Sequence, residues 1–163
     1  MRVFRLRPPS LQLLLSHRAD PCVSLYDDTS PLFLATQNGH LQSMKILLHA
    51  RGDIHVARRG GFTCAGIACE TGHLECLQFL LACRADIDLI DDEGDTLCIA
   101  AALNGHNEVV AALIEQSADI EKQSNNGVAP MHYAAAYGFT DVVKTLYEAC
   151  ADCGAELLSC VFA

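Results

Sequence analysis

Apolar residues return along this chain at two spacings at once. Within short stretches they fall at i and i+3, which places them on one face of a helix: Met44 and Leu47, Leu77 and Leu80, Val110 and Leu113, Val143 and Leu146. Between stretches the same pairs recur after 33 residues. Gly39, Gly72, Gly105 and Gly138 keep that interval, as do Ala35, Ala68, Ala101 and Ala134. Each unit therefore predicts a turn, a short helix, a glycine-centred break, a longer helix and a loop. The predicted units are 28–60, 61–93, 94–126 and 127–159. Such a period marks repeats that bury their apolar faces on one another. The constant Ala reads as a point of close helix approach.

The short-helix segments carry a motif. It reads Thr96-Leu97-Cys98-Ile99-Ala100-Ala101 before Asn104-Gly105-His106, and Ala129-Pro130-Met131-His132-Tyr133-Ala134 before Tyr137-Gly138-Phe139. Earlier copies are Ser30-Pro31-Leu32-Phe33-Leu34-Ala35 and Thr63-Cys64-Ala65-Gly66-Ile67-Ala68. A T-P-L-H-x-A core at this period resembles the ankyrin repeat over roughly residues 26 to 153. The resemblance implies an all-α solenoid of stacked helix-turn-helix units joined by hairpin loops. It also implies a binding platform rather than an enzyme, with no cofactor. In that family the motif histidine hydrogen-bonds within and between repeats. Here only His132 occupies its place, and Phe33, Gly66 and Ile99 stand there in the other repeats, which is expected to weaken the stack locally.

Residues 1–27 read as an N-terminal segment holding half a repeat. Arg2, Arg5 and Arg7, with no acid before Asp20, have the composition of a leader. However, Leu11, Leu14 and Leu15 sit one period before Met44, Leu47 and Leu48, so the segment reads as repeat helix. Pro8 and Pro9 open it, because a first turn needs no N–H from them. The matching first helix is missing from the pattern, which reads as a chain cut inside a repeat, its first eight or so residues poorly ordered. Beyond Asp152 the pattern fails again. Residues 153–163 are largely apolar and read either as a short helix capping the last repeat or as an unpacked tail.

Charge changes the picture. Residues 1–59 hold eight Lys or Arg against four Asp or Glu, and residues 60–163 hold three against sixteen, for a net −9. The acidic remainder disfavours nucleic acid and favours a basic protein partner. No apolar run approaches the roughly 20 residues of a membrane span. Nine scattered cysteines, without a convincing signal peptide, read as reduced thiols in a cytoplasmic or nuclear protein.

Candidate chemistry is sparse. Asp53, Asp86, Asp119 and Asp152 recur at one place in the period, and the reading is a turn role rather than catalysis. His40, His73 and His106 also recur, which favours packing or capping. Cys150, Cys153 and Cys160 have partly metal-like spacing, but a zinc site lacks a fourth ligand, so no metal is expected. Asp91-Asp92-Glu93-Gly94-Asp95 lacks the spaced ligands of a calcium loop and falls at a hairpin tip. In the family, Asn two residues after the repeat Asp is a hydroxylation site. His55, Asp88, Glu121 and Gly154 stand there instead, leaving His55 and Asp88 as weak candidates.

The expected function is a non-catalytic protein-interaction scaffold. Its rival is a regulatory fragment of a larger enzyme, such as a kinase or ubiquitin ligase. The resemblance places ligand contacts on the hairpin tips and the exposed side of the first helices, together the concave face. In the first repeat these are Tyr26, Asp27, Thr29, Gln37 and Asn38, and in the second Arg59, Phe62, Glu70 and Thr71. The third supplies Asp92, Glu93, Asp95, Leu103 and Asn104, and the fourth Asn125, Asn126, Val128 and Tyr137. Phe62, Leu103, Val128 and Tyr137 are expected as apolar anchors that neither helix needs for its core, with acids around them to speed encounter with a basic partner.

Overall fold

A computed structural model describes residues 8–25 and 28–152. Among these residues the chain forms nine α-helices: α1 (Pro8–Ser16), α2 (Pro31–Gln37), α3 (Leu41–His49), α4 (Cys64–Glu70), α5 (Leu74–Ala82), α6 (Leu97–Leu103), α7 (Asn107–Glu115), α8 (Pro130–Ala136) and α9 (Thr140–Asp152). The expectations for the first eight residues and for 153–163 fall outside the described residues, save for Pro8. The short helices α2, α4, α6 and α8 pack side by side in one layer. The longer α1, α3, α5, α7 and α9 form the second layer, and each pair closes on itself. This is the all-helical repeat solenoid that the period predicts. An isolated antiparallel bridge between Ile90 and Thr96 marks the hairpin between the second and third repeats.

Each short helix starts where its sequence supplies a cap. The Ser30, Thr63 and Thr96 hydroxyls accept from the N–H groups of Phe33, Gly66 and Ile99. These caps satisfy donors that the first turn would otherwise leave open. Ala129 has no side-chain oxygen, and in its repeat the arrangement is reversed. The Ala129 N–H donates to His132 Nδ1 at 3.2 Å, which fixes Nδ1 as the unprotonated nitrogen. Ser or Thr at the cap and His three residues on thus serve the same helix end from opposite directions.

The breaks between helices are built for close approach. Gly72 has φ +74°, and a Cβ there would lie 2.5 Å from Nδ1 of His106 in the next repeat. Gly39 faces His73 and Gly105 faces Phe139 in the same way. His106 Nε2 donates to the Glu70 carbonyl at 2.9 Å, and His73 Nε2 to the Gln37 carbonyl at 3.2 Å. No side-chain cap bond comes from His40, His73 or His106. At His73 and His106 the recurrence therefore serves inter-repeat packing, not capping.

The core runs continuously from Leu11 to Leu146. Ala35, Ala68, Ala101 and Ala134 are wholly buried, and Leu47, Leu80, Leu113 and Leu146 nearly so. Leu14, one period earlier, departs from the expected stack and is 54% exposed. In the complete repeats a short helix packs against the longer one, and among the described residues the half repeat has no such helix. Asp53, Asp86 and Asp119 accept from the N–H two residues on, as a turn role requires. Asp152 differs from that expectation: it is the last residue of α9, which runs through the place where its counterparts have already turned.

Candidate functional site

The hairpin tips form a row joined by backbone hydrogen bonds. Asp92 N–H donates to the Gly60 carbonyl at 3.0 Å, and one period later Asn125 N–H donates to the Glu93 carbonyl at 3.0 Å. Asn125 Nδ2 adds a bond to the Asp92 carbonyl at 3.1 Å. Because the backbone is held, the side chains of Asp92, Glu93 and Asn126 are free to project, and all three are exposed. Arg59, also exposed, lies 3.8 Å from Asp28, an open pair of little energetic weight.

Several expected contact residues are occupied with their own helix. Asn38 Nδ2, Thr71 Oγ1 and Asn104 Nδ2 donate to carbonyls four residues back, closing α2, α4 and α6. Thr29 is buried, so its side chain offers nothing to a partner. Tyr26 and Asp27 lie outside the described residues. Phe62 corrects the expectation that it is surplus to the core, since it is half-buried and packs against the core cluster. Leu103 and Val128 are half-buried as well, while Gln37 and Glu70 are exposed. Of the four expected anchors, Tyr137 is the one that stands clear. It is 64% exposed, with its ring stacked 6.3 Å from that of Phe139.

Three expected residues, Phe62, Glu70 and Asp95, meet around one pocket of about 30 Å³ between α4 and the 90–96 hairpin. Gly66, Ile90 and Asp91 complete its chemistry, and the sequence marks none of them as a contact. A signal is nonetheless present at Gly66. Where Phe33 and Ile99 fill the equivalent place with buried side chains, Gly66 leaves it vacant.

Electrostatics single out Asp95. Burial, then the charges of Asp91 and Glu93, push its carboxyl up to about 6. Its Oδ1 is buried and receives no hydrogen bond, whereas Asp91 Oδ1 accepts the N–H groups of Glu93 and Asp95. The folded chain therefore holds this proton more tightly than the unfolded chain, whose carboxyl titrates near 3.8. Stability must fall as pH rises through the interval between those values and stay lower above it. Asp95→Asn is expected to raise the free energy of unfolding at neutral pH by about 1 kcal/mol or less after solvent screening, read as a higher melting temperature. The gain should vanish below pH ~4. Equal gains at both pH values would show that Asp95 carries no unfavourable charge.

The buried thiols of the core are held out of reaction. Burial pushes Cys64 and Cys98 up to about 12, and Cys69 higher still, so at neutral pH they stay protonated. Cys150 is buried against this core, and Cys153 and Cys160 lie outside the described residues. Among the described residues no group of three or more His, Cys, Asp or Glu is placed to hold a metal ion. No helix among them is long and apolar enough to cross a membrane.

No curated protein matches the chain. The family model described as ankyrin repeats (3 copies) matches it twice, over residues 5–91 and 66–156. Those matches span nearly the whole chain and coincide with the glycine breaks, paired helices and tip-to-tip hydrogen bonds described above, so the chain belongs to the ankyrin-repeat family.

Proposed function

We propose that this chain is a non-catalytic scaffold that binds a protein with a basic surface through its concave face. Ankyrin repeats mediate protein–protein interaction. The observation that carries the finer reading is the row of tips: the backbone is tied from repeat to repeat, and the exposed acids Asp92 and Glu93 project from it. An ordered row of tips costs little to bind because its backbone is already fixed. Tyr137, on the same layer of short helices, supplies an exposed aromatic anchor of the kind that dominates interfaces. The acidic balance of residues 60–163 speaks against nucleic acid, and a cytoplasmic or nuclear setting suits its reduced buried thiols.

The test begins with a partner recovered on the purified chain and identified by mass spectrometry. Tyr137→Ala should weaken its binding by roughly 2 kcal/mol while the helical signal is kept. Asp92→Lys with Glu93→Lys should mainly slow association and flatten its salt dependence. Glu115→Lys, at the end of α7 in the other layer, should leave binding unchanged. If the tip and Tyr137 variants bind as the parent does, the face is misassigned, and the basic segment with Arg2, Arg5 and Arg7 is the next surface to examine.

A further inference from the structure

We propose that the pocket over Gly66 is a seat for one lysine side chain of a protein partner, its stem against Phe62 and Ile90 and its ammonium on Asp95. This rests on the reading of the concave face as a protein-binding surface and names the group that the face selects.

Three separate features of the molecule converge here. The first is a vacancy. Position 66 belongs to the series Phe33, Gly66, Ile99 and His132, and a Cβ added at Gly66 would meet only Thr63 Oγ1, at an ordinary 3.6 Å. Nothing in the backbone requires glycine: its φ lies outside the left-handed region, and glycine inside a helix is the less stable choice. What glycine provides is space, about 30 Å³, or roughly twice what one water needs. That is room for an ammonium and its adjoining methylene.

The second feature is an acceptor without a donor. Asp95 lines the pocket, and its Oδ1 is buried with no hydrogen bond. Oδ1 itself is closed to solvent, so a cation in the pocket acts on the carboxylate by its charge, offsetting the repulsion from Asp91 and Glu93. The Asp95 carboxyl is raised to about 6, first by burial and then by the negative charges of Asp91 and Glu93. Asp91 on the same hairpin and Glu70 on α4 line the same pocket, and Glu93 lies beside Asp95 in the chain.

The third feature is the wall. Phe62 and Ile90 are apolar, and Ile90 is 47% exposed at the pocket's edge. A bare cation gains nothing from such a wall, whereas the methylenes of a lysine stem do. An apolar wall beside acidic side chains therefore suits a long aliphatic cation.

The experiment uses the folded chain and no partner. Nα-acetyl-lysine N-methylamide is titrated at low salt, with backbone amide signals followed by NMR, and Nα-acetyl-norleucine N-methylamide is the uncharged control. Saturable shifts are expected at Gly61, Gly66 and Asp95 with the lysine probe and not with norleucine. Asp95→Asn, which keeps the shape, and Gly66→Ile, which fills the space as Ile99 does, should each weaken the probe at least about tenfold. The helical spectrum shows whether each variant is folded, and the Asn variant stands alone should the Ile variant not fold. Equal shifts with norleucine, the same shifts with magnesium ion, or shifts spread evenly over Glu108, Glu115 and Asp119 would overturn the seat. A negative result leaves the reading of the face to be judged separately by Tyr137→Ala on a captured partner.

Discussion

Leu80→Ala should lower the free energy of unfolding by about 2–5 kcal/mol, one of the largest losses available to a single side chain in this molecule. Leu80 is wholly buried at the centre of the stack, on the face of α5 that carries Leu77. Removing its outer carbons forfeits their transfer from water, and it leaves a cavity that two flanking repeats cannot both collapse into. Because each repeat touches only its neighbours, the damage falls on the units that hold the ends together. The comparison that gives this meaning is Leu14→Ala. Leu14 has the same place in the period, yet 54% of it is exposed, so its replacement should cost within about 0.5 kcal/mol. Chemical denaturation followed by circular dichroism separates the two. Equal costs would mean that the stack is not closed around Leu80.

That contrast shows what the pattern of residues can and cannot convey. Periodicity reports where a side chain points relative to its own helix, and it places Leu47, Leu80, Leu113 and Leu146 in the core correctly. It does not report whether a neighbour is there to cover the side chain, so the same rule wrongly assigns Leu14 to the core. Asp53, Asp86 and Asp119 are legible as turn residues because their bond is local, two residues on, and needs only a backbone N–H. This is also why His55, Asp88 and Glu121 can succeed them without disturbing the turn. Asp152 is not legible, because no local bond decides whether a helix stops or continues there.

The candidate site divides along the same line. The tip positions are legible from the period, but the way their backbones are tied together is not, since Asp92 and Asn125 meet across 33 residues. Phe62 looks surplus in sequence because neither predicted helix contains it. In three dimensions it leans on the core and forms the wall of a pocket. Gly66 in sequence is a defect in the motif, a missing side chain that weakens the stack. Only the placement of Phe62, Ile90 and Asp95 around it turns the defect into a space with a chemical character.

Gly72→Ala should cost about 2–3 kcal/mol, far more than an added methyl group usually does. Two terms contribute. The backbone at Gly72 sits at φ +74°, where an L side chain costs about 1–2 kcal/mol. The new Cβ would also lie 2.5 Å from the His106 ring, so the ring must move. Moving it strains the 2.9 Å bond from Nε2 to the Glu70 carbonyl, and that bond ties the second repeat to the third. Gly138 isolates the first term. Its φ is +77°, nearly the same, but a Cβ there meets nothing within 4 Å. Gly138→Ala should therefore carry the backbone cost alone, and the difference between the two variants measures the inter-repeat contact. Adding His106→Ala to Gly72→Ala gives a further check. If the clash is real, the pair together should cost less than the sum of the two single changes. Strict additivity, or equal losses at Gly72 and Gly138, would show that His106 does not bear on Gly72 and that the repeats are held by their helices alone.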